Sequence, residues 1–357
     1  MQKKLIALAV AGIAWAPLSA QAQVTISGLF DLGVQISEQE TAGVEAKKTT
    51  AGIHNGAATS AVKITVTEDL GGGMKVTGYI ETDPALGSNA GGVFAGAPNW
   101  LQLSGGFGAI TLGFMNNYAL NASSASQPFG TGFASGYNGS FGRLAGINVI
   151  GTTSATFVAP GGNGVRDIRI NNSIQYQLPN MGGFTGGIIH KIKNSDFAGS
   201  GDGVGQTQFG LSFSSGPLNI AAAHSTIETE AVGGFGGTGS DSLTHTMIGA
   251  NYKLGAFTIY GGYTMSEADN SADTDSTSMN AAVMFAFSPT LAAGINFVEV
   301  DDDTAANADG DMFGLGLNYT MSKRTMAYVR YQSGDKNSAA ATSGDYSDIA
   351  VGLVHTF

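Results

Sequence analysis

The eleven residues from Ser347 to Phe357 alternate strictly: Ile349, Val351, Leu353, His355 and Phe357 interleave with Asp348, Ala350, Gly352, Val354 and Thr356. A period of two puts the bulky set on one face of a strand and the small or polar set on the other. Two settings suit a strand with one apolar face and an aromatic at its end. One is the edge of a soluble sheet. The other is the closing strand of an outer-membrane barrel, whose last ring sits near the lipid interface.

The opposite end bears on the choice. Lys3 and Lys4 precede an apolar run from Leu5 to Trp15, followed by Pro17 and the small-residue site Ala20-Gln21-Ala22. That is the pattern of a secretory signal peptide, expected to span residues 1–22. An anchoring helix is the alternative, but the run falls well short of the roughly 20 apolar residues a span needs. No later stretch is long and apolar enough to span as a helix, so a membrane-embedded chain would have to close as a barrel.

Alternation bounded by Gly, Asn, Asp or Pro clusters marks sixteen strand-like segments, from Val24 to Ser37 through Ser347 to Phe357. Their connections alternate, short ones such as 254–255 and 321–324 with longer loops. Transmembrane barrels combine an even strand count with this asymmetry. The expectation is an all-β fold: one sixteen-stranded antiparallel transmembrane β-barrel over residues 23–357, wide enough to hold a water-filled lumen. Within 168–178, Ile168, Ile170, Ile174, Tyr176 and Leu178 are assigned to lipid, and Arg169, Asn171, Ser173, Gln175 and Gln177 to water. Tyr176, Tyr252, Tyr263 and Tyr319 are placed near strand ends, where an interfacial girdle belongs.

One connection breaks the size rule. Residues 116–167 form a loop far longer than the ~15 residues typical of unstructured connections. It carries Phe129, Phe133, Tyr137, Phe141 and Phe157, with Arg143, Arg166 and Asp167 as its charges. So aromatic a loop reads as one folded into the lumen to narrow it; a Gly/Ser-rich outer loop is the alternative.

The chain resembles the Gram-negative general porins, specifically the trimeric sixteen-stranded kind of beta-proteobacteria. The likeness rests on VTISGLFDLGV (Val24 to Val34), TEDLGGGMKVTGYIET (Thr67 to Thr82), LSGGFGAITLG (Leu103 to Gly113), RINNSIQYQLP (Arg169 to Pro179) and LGLNYTMSKRT (Leu315 to Thr325). QPFG (Gln127 to Gly130) faintly echoes a constriction-loop motif in which porins generally carry an acid where Phe129 stands. The resemblance implies a homotrimer in the outer membrane, in contact with lipid and lipopolysaccharide. It further implies that Phe357 is the signal read by the outer-membrane assembly machinery, and that small hydrophilic solutes diffuse passively through the pore.

The departures bear on selectivity. Such porins often line the constriction with several Arg and Lys, whereas here Ala61, Thr65, Phe114 and Gln175 stand at positions usually basic. Arg169 remains, and strand parity points Lys63 and Arg330 inward as well. Lys63, Arg169, Gln175 and Arg330 are therefore the expected pore-lining residues. Without Lys3 and Lys4 the chain has 14 basic and 27 acidic side chains, a formal charge of −13. Nucleic acid is an improbable partner for such a surface.

Other chemistry finds little footing. His54, His190, His224, His245 and His355 are isolated, and the absence of cysteine removes both disulfides and zinc-thiolate sites. No GxSxG elbow or Walker loop is present, and the GxGxxG at Gly234, Gly236 and Gly239 lacks the strand and helix of a dinucleotide site. No catalytic residue, resident metal or cofactor is expected. Asp269, Asp273 and Asp275, with Asp301, Asp302, Asp303, Asp309 and Asp311, fall in expected outer loops and read as solvated acids; the alternative is weak binding of divalent cations. Within transport, the alternative is a solute-selective porin; beyond it, a surface adhesin would share the acidic loops but not an inner loop.

Overall fold

The structure, a computed structural model, describes residues 22–41, 44–53, 56–84, 97–135, 169–192, 204–229, 242–268, 275–302, 309–336 and 344–357. The expected leader up to residue 21, the Gly234 to Gly239 segment, Asp269, Asp273 and Asp303 lie outside them.

Seventeen strand segments are described. They are β1 (Gln23–Thr41), β2 (Val44–Ile53), β3 (Ala61–Gly71), β4 (Met74–Thr82), β5 (Asn99–Gly105), β6 (Gly108–Asn116), β7 (Arg169–Gln177), β8 (Phe184–Lys191) and β9 (Val204–Ser215). The remainder are β10 (Leu218–Thr229), β11 (Ser242–Leu254), β12 (Phe257–Ala268), β13 (Asp275–Ala286), β14 (Leu291–Asp302), β15 (Gly310–Thr320), β16 (Thr325–Lys336) and β17 (Gly344–Thr356). Each is antiparallel to its neighbour, and β17 returns to pair with β1 from Leu29↔Thr356 to Gln39↔Tyr346. The barrel is closed, so no strand presents an unpaired edge to lipid.

Seventeen segments occupy sixteen staves. On the side of β1 away from β17, residues Gln23 to Leu29 pair with β3 and Gly33 to Thr41 pair with β2. β2 and β3 are thus two halves of one stave, interrupted around residues 54–60. The sequence reading stopped the first strand at Ser37 and left β2 as loop, because VEAKKTTAGI has no apolar face. Polar contacts hold that extension, Lys47 donating to Glu38 across the pair.

The turns explain the closure of adjacent staves. Two residues, Gly255 and Ala256, join β11 to β12, and Gly255 takes φ +61°, a twist-compatible hairpin conformation that a Cβ would strain. Lipid-side rows such as Phe209 and Leu211, or Ile349, Val351 and Leu353, are exposed, while the inward Gln208, Asn296 and Gln332 are fully buried. Aromatic pairs ring the short-turn end: Phe184 with Phe213, Phe257 with Phe285, and Phe30 with Phe357, centroids 4.4, 4.6 and 5.0 Å apart. Tyr176, Tyr252 and Tyr319 join that belt, exposed as expected. Tyr263 does not: β12 continues to Ala268, which leaves it mid-strand.

A second correction concerns Ile170. The β6–β7 register shifts between Gly113 and Met115, and Asn172 adopts φ +48°. Such a bulge reverses side-chain parity. Ile170 is therefore turned inward, 1% exposed, into a cluster with Tyr118, Ala119, Ile189 and Ala223.

Candidate functional site: the lumen wall and its inner loop

The long loop leaves β6 and enters helix α1 (Tyr118–Ser126), whose N-cap Asn117 accepts from Leu120 N at 3.1 Å. Its ends leave backbone groups unpaired, and the barrel wall supplies partners. Gln208 of β9 accepts from Tyr118 N at 2.6 Å; Asn251 of β11 and Asn280 of β13 donate to the carbonyls of Ala125 and Ser126 at 2.9 and 2.6 Å. Three wall glycines let the helix seat. A Cβ at Gly210 would lie 1.9 Å from the Tyr118 ring, at Gly249 2.0 Å from Ala122 O, and at Gly262 2.5 Å from Ser126 Cβ. Burial pushes the Tyr118 hydroxyl, beside Gln175, up to about 12.

Residues 127–135 continue along the wall. Gln332 of β16 accepts from Ala134 N at 2.8 Å, Asn296 of β14 donates to Ala134 O at 3.2 Å, and Gln332 in turn donates to Asp348 at 2.7 Å. Phe133 packs on Tyr328, Ala350 and Val354, and its N–H reaches Gly56 O at 2.9 Å, in the interruption between β2 and β3. Asp31 ties that interruption down. Its carboxylate, fully buried, accepts from Ala57 N and Ala58 N at 2.6 and 2.8 Å and from the Tyr328 hydroxyl at 2.7 Å. The described part of the loop thus runs along the inner wall from β9 to β17. Tyr137, Phe141 and Arg143 lie outside the described residues.

Across the lumen, on β3 to β7, the wall carries charge. Arg169 meets Asp83 at 3.0 Å and Glu81 at 3.9 Å, and Lys63 meets Glu81 at 3.7 Å. The Tyr79 hydroxyl also donates to Glu81, and the Tyr79 and Trp100 rings stack 4.9 Å apart at 15°. Burial raises the Asp83 carboxyl above its usual range; Arg169 opposes that shift and Glu81 adds to it.

Of the four expected pore-lining residues, Lys63 and Arg169 meet in this cluster. Gln175 faces inward beside Tyr118, at the edge of the helix. Arg330 differs from expectation: it is 2% exposed, donates to Leu317 O, Val329 O and Asn318 Oδ1, and lies beneath the Phe129 ring at 4.8 Å. A lumen charge was expected; a stacked foundation for the loop is found. Phe129 and Phe133 are themselves 3% and 4% exposed, so they anchor the loop instead of facing the channel.

Sequence reading missed Asp31, Glu81, Asp83, Tyr79 and Trp100. For Glu81 a signal existed, since Ile80 faces lipid and the parity of β4 turns an acid inward. Asp83 lies just past the strand, where parity is silent. Among the described residues no group of three His, Cys, Asp or Glu is placed to hold a metal.

A closed transmembrane barrel with polar side chains and a loop on its inner face is the architecture of an outer-membrane diffusion channel. A sequence model of the Gram-negative porin family matches residues 7–339, and the chain belongs to that family. It is 29% identical over 360 residues to outer membrane porin protein 32 of Delftia acidovorans, covering 96% of this chain and 92% of that one. Its fold is similar to that of the anion-selective porin from Comamonas acidovorans, with TM-score 0.75 and 22% identity over 94% of this chain and 100% of that one. It is also similar to the in-vitro folded OmpT of Vibrio cholerae, solved in trimer form, with TM-score 0.63 and 15% identity over 94% and 99% of the two chains. The protein is an outer-membrane porin through which small hydrophilic solutes diffuse passively.

Proposed function

We propose that this porin is weakly cation-preferring, in contrast to the relative described as anion-selective. The observation that carries this is the pairing of both wall bases: Lys63 and Arg169 are met by Glu81 and Asp83, so the cluster has no net formal charge. Arg330, the third expected base, is screened from the lumen by Phe129. What remains is an acidic mouth. Glu38, Glu40, Glu45, Asp311, Asp335 and Asp345 line a cavity of about 920 Å³ at the long-loop end, with Lys47 as its base. Mouth charges are screened beyond ~8 Å at physiological salt, so they enrich cations at the entrance without dictating passage. The preference should therefore appear at low salt and fade at high salt. Reversal potentials across a KCl gradient test it, and strong anion selectivity would refute it.

The same reading includes a homotrimer, as in the trimer form of the Vibrio relative. Apolar lipid-side rows near the two ends, Val24, Ile26, Val351 and Leu353 among them, supply its contact face. Passage through such a pore requires no chemical step, and we assign no enzymatic role. Residues 1–22 act as the cleaved leader. Phe357 acts as the assembly signal; in the folded barrel its backbone pairs with Gly28 at 3.0 and 3.1 Å. Deleting Phe357 should lower the yield of heat-modifiable protein in the outer membrane, and a yield equal to wild type would refute that role.

A further inference from the structure

The wall cluster carries the means to change its own charge. Glu81 and Asp83 stand two residues apart at the end of β4, and both meet the guanidinium of Arg169, Asp83 at Nη1 at 3.0 Å and Glu81 at Nη2 at 3.9 Å. The two carboxyls are also within hydrogen-bond reach of each other. Two carboxylates cannot make that bond, since both are acceptors, whereas a single proton completes it. Like charges so placed do not titrate independently; the proton belongs to the pair.

The surroundings decide which carboxyl takes it. Glu81 is held ionised, with Lys63 at 3.7 Å and the Tyr79 hydroxyl donating to it. Asp83 Oδ1, by contrast, is buried with no hydrogen-bond partner, so the ionised form lacks the donor that would offset its burial. The Asp83 side chain still keeps 22% of its surface exposed, which lets water deliver a proton. Among the described residues, β3 faces the pair with Lys63, β4 with Tyr79 and β7 with Arg169, whose Nε donates to Asn116 of β6 at 3.2 Å. β5 adds the uncharged Trp100 against Tyr79.

We infer that Glu81 and Asp83 form a proton-operated selectivity switch on the lumen wall. With both ionised, their charges cancel those of Lys63 and Arg169; with one proton taken from water, the same four residues sum to +1. The proton binds a carboxylate oxygen and no other bond changes. Burial and the neighbouring Glu81 raise the Asp83 carboxyl above its usual range against the pull of Arg169, so the switch turns before ordinary surface acids do as pH falls. This rests on the charge-balance reading above and deepens it, since acid would move the pore from weak cation preference toward anions.

The test uses the purified protein in planar bilayers at low salt, with current recorded first. Absence of that current contradicts the channel reading itself and the switch with it. Reversal potentials across a KCl gradient are then taken from about pH 8 to about pH 4. The wild-type cation-to-anion permeability ratio should fall about two-fold between about pH 7 and about pH 5. Asp83→Asn, which keeps the shape and fixes the cluster at +1, should show the lower ratio already at the alkaline end and stay level until ordinary carboxylates titrate below about pH 5. Glu81→Gln, which breaks the pair from its other side, should do the same. Asp345→Asn removes an exposed acid at the long-loop end and should lower the ratio at neutral pH while keeping the step. Strong anion selectivity at the alkaline end refutes the charge-balance reading and the switch together. A wild-type ratio that stays level down to about pH 5, a step that survives in Asp83→Asn, or one that disappears in Asp345→Asn overturns the switch alone.

Discussion

From β9 to β16 the inner wall is shaped for contact, and from β3 to β7 it is left charged. The first half presents glycines where α1 lies, Gly210, Gly249 and Gly262, and amides where its backbone needs partners, Gln208, Asn251 and Asn280. The second half holds Lys63, Glu81, Asp83 and Arg169, ion-paired with one another. The contrast separates two tasks. Fixing a loop inside a wide barrel takes small residues and neutral hydrogen bonds, because a charge buried beneath it would need a partner. Acting on a passing ion takes charges that water and solute can reach. Arg330 illustrates the rule by exception: on the covered half its charge is spent on two backbone carbonyls, one side-chain amide and two rings.

The largest expected effect comes from cutting the tie on the interruption between β2 and β3. Asp31→Ala leaves Ala57 N, Ala58 N and the Tyr328 hydroxyl without their acceptor. Each buried orphan costs ~1–3 kcal/mol. The variant should unfold at markedly lower urea than wild type in detergent, by about 3 kcal/mol or more, and should show a noisier single-channel current. A wild-type midpoint would mean that the interruption between β2 and β3 carries no load.

A smaller effect is expected from overfilling the glycine floor. Gly249→Val drives side-chain atoms into Ala122 O and should cost about 1–3 kcal/mol, with α1 lifted into the channel. A control on the lipid face, Gly78→Val, meets only Leu101 Cδ1 at 3.9 Å and should be tolerated. Matched single-channel conductances of the two variants check the comparison: a loss confined to Gly249→Val is expected.

Removing the cover over Arg330 should convert one half toward the other. Phe129→Ala exposes the guanidinium to the lumen, and the reversal potential should move modestly toward anions. An unchanged potential would indicate that Arg330 stays insulated by Leu317 O, Val329 O and Asn318.

How legible these halves were in the sequence follows from what each depends on. The stave count was readable because lipid enforces alternation on one face of every span, as in Phe209 and Leu211 or Val351 and Leu353. β2 was not, since above the apolar band nothing enforces it. Ile170 was misplaced because one bulge at Asn172 inverts parity, and a bulge leaves no period to detect. The loop's docking was foreshadowed by its aromatics. The partners of those aromatics were not, because Gly316 beneath Phe129 or Gly56 beside Phe133 look like ordinary strand and loop glycines. At the charged wall, strand parity found Lys63; Arg169 lies beyond the Asn172 bulge, and its long side chain, not parity, brings it to Asp83 and Glu81. Their neutralising acids are long-range partners, Arg169 and Asp83 lying 86 residues apart in sequence.

The central claim is that the charge balance of the bare wall sets ion preference, and Arg169→Ala tests it most directly. Removing Arg169 leaves Glu81 with Lys63 as its remaining basic partner and Asp83 with none among the ion pairs found. In water even charges ~4 Å apart interact by only about 1 kcal/mol, so the shift should be clear but not extreme. Reversal potentials across a low-salt KCl gradient should show weak cation preference in the wild type and a further move toward cations in the variant. Strong anion selectivity in the wild type, or a potential that does not change on losing Arg169, would contradict the account.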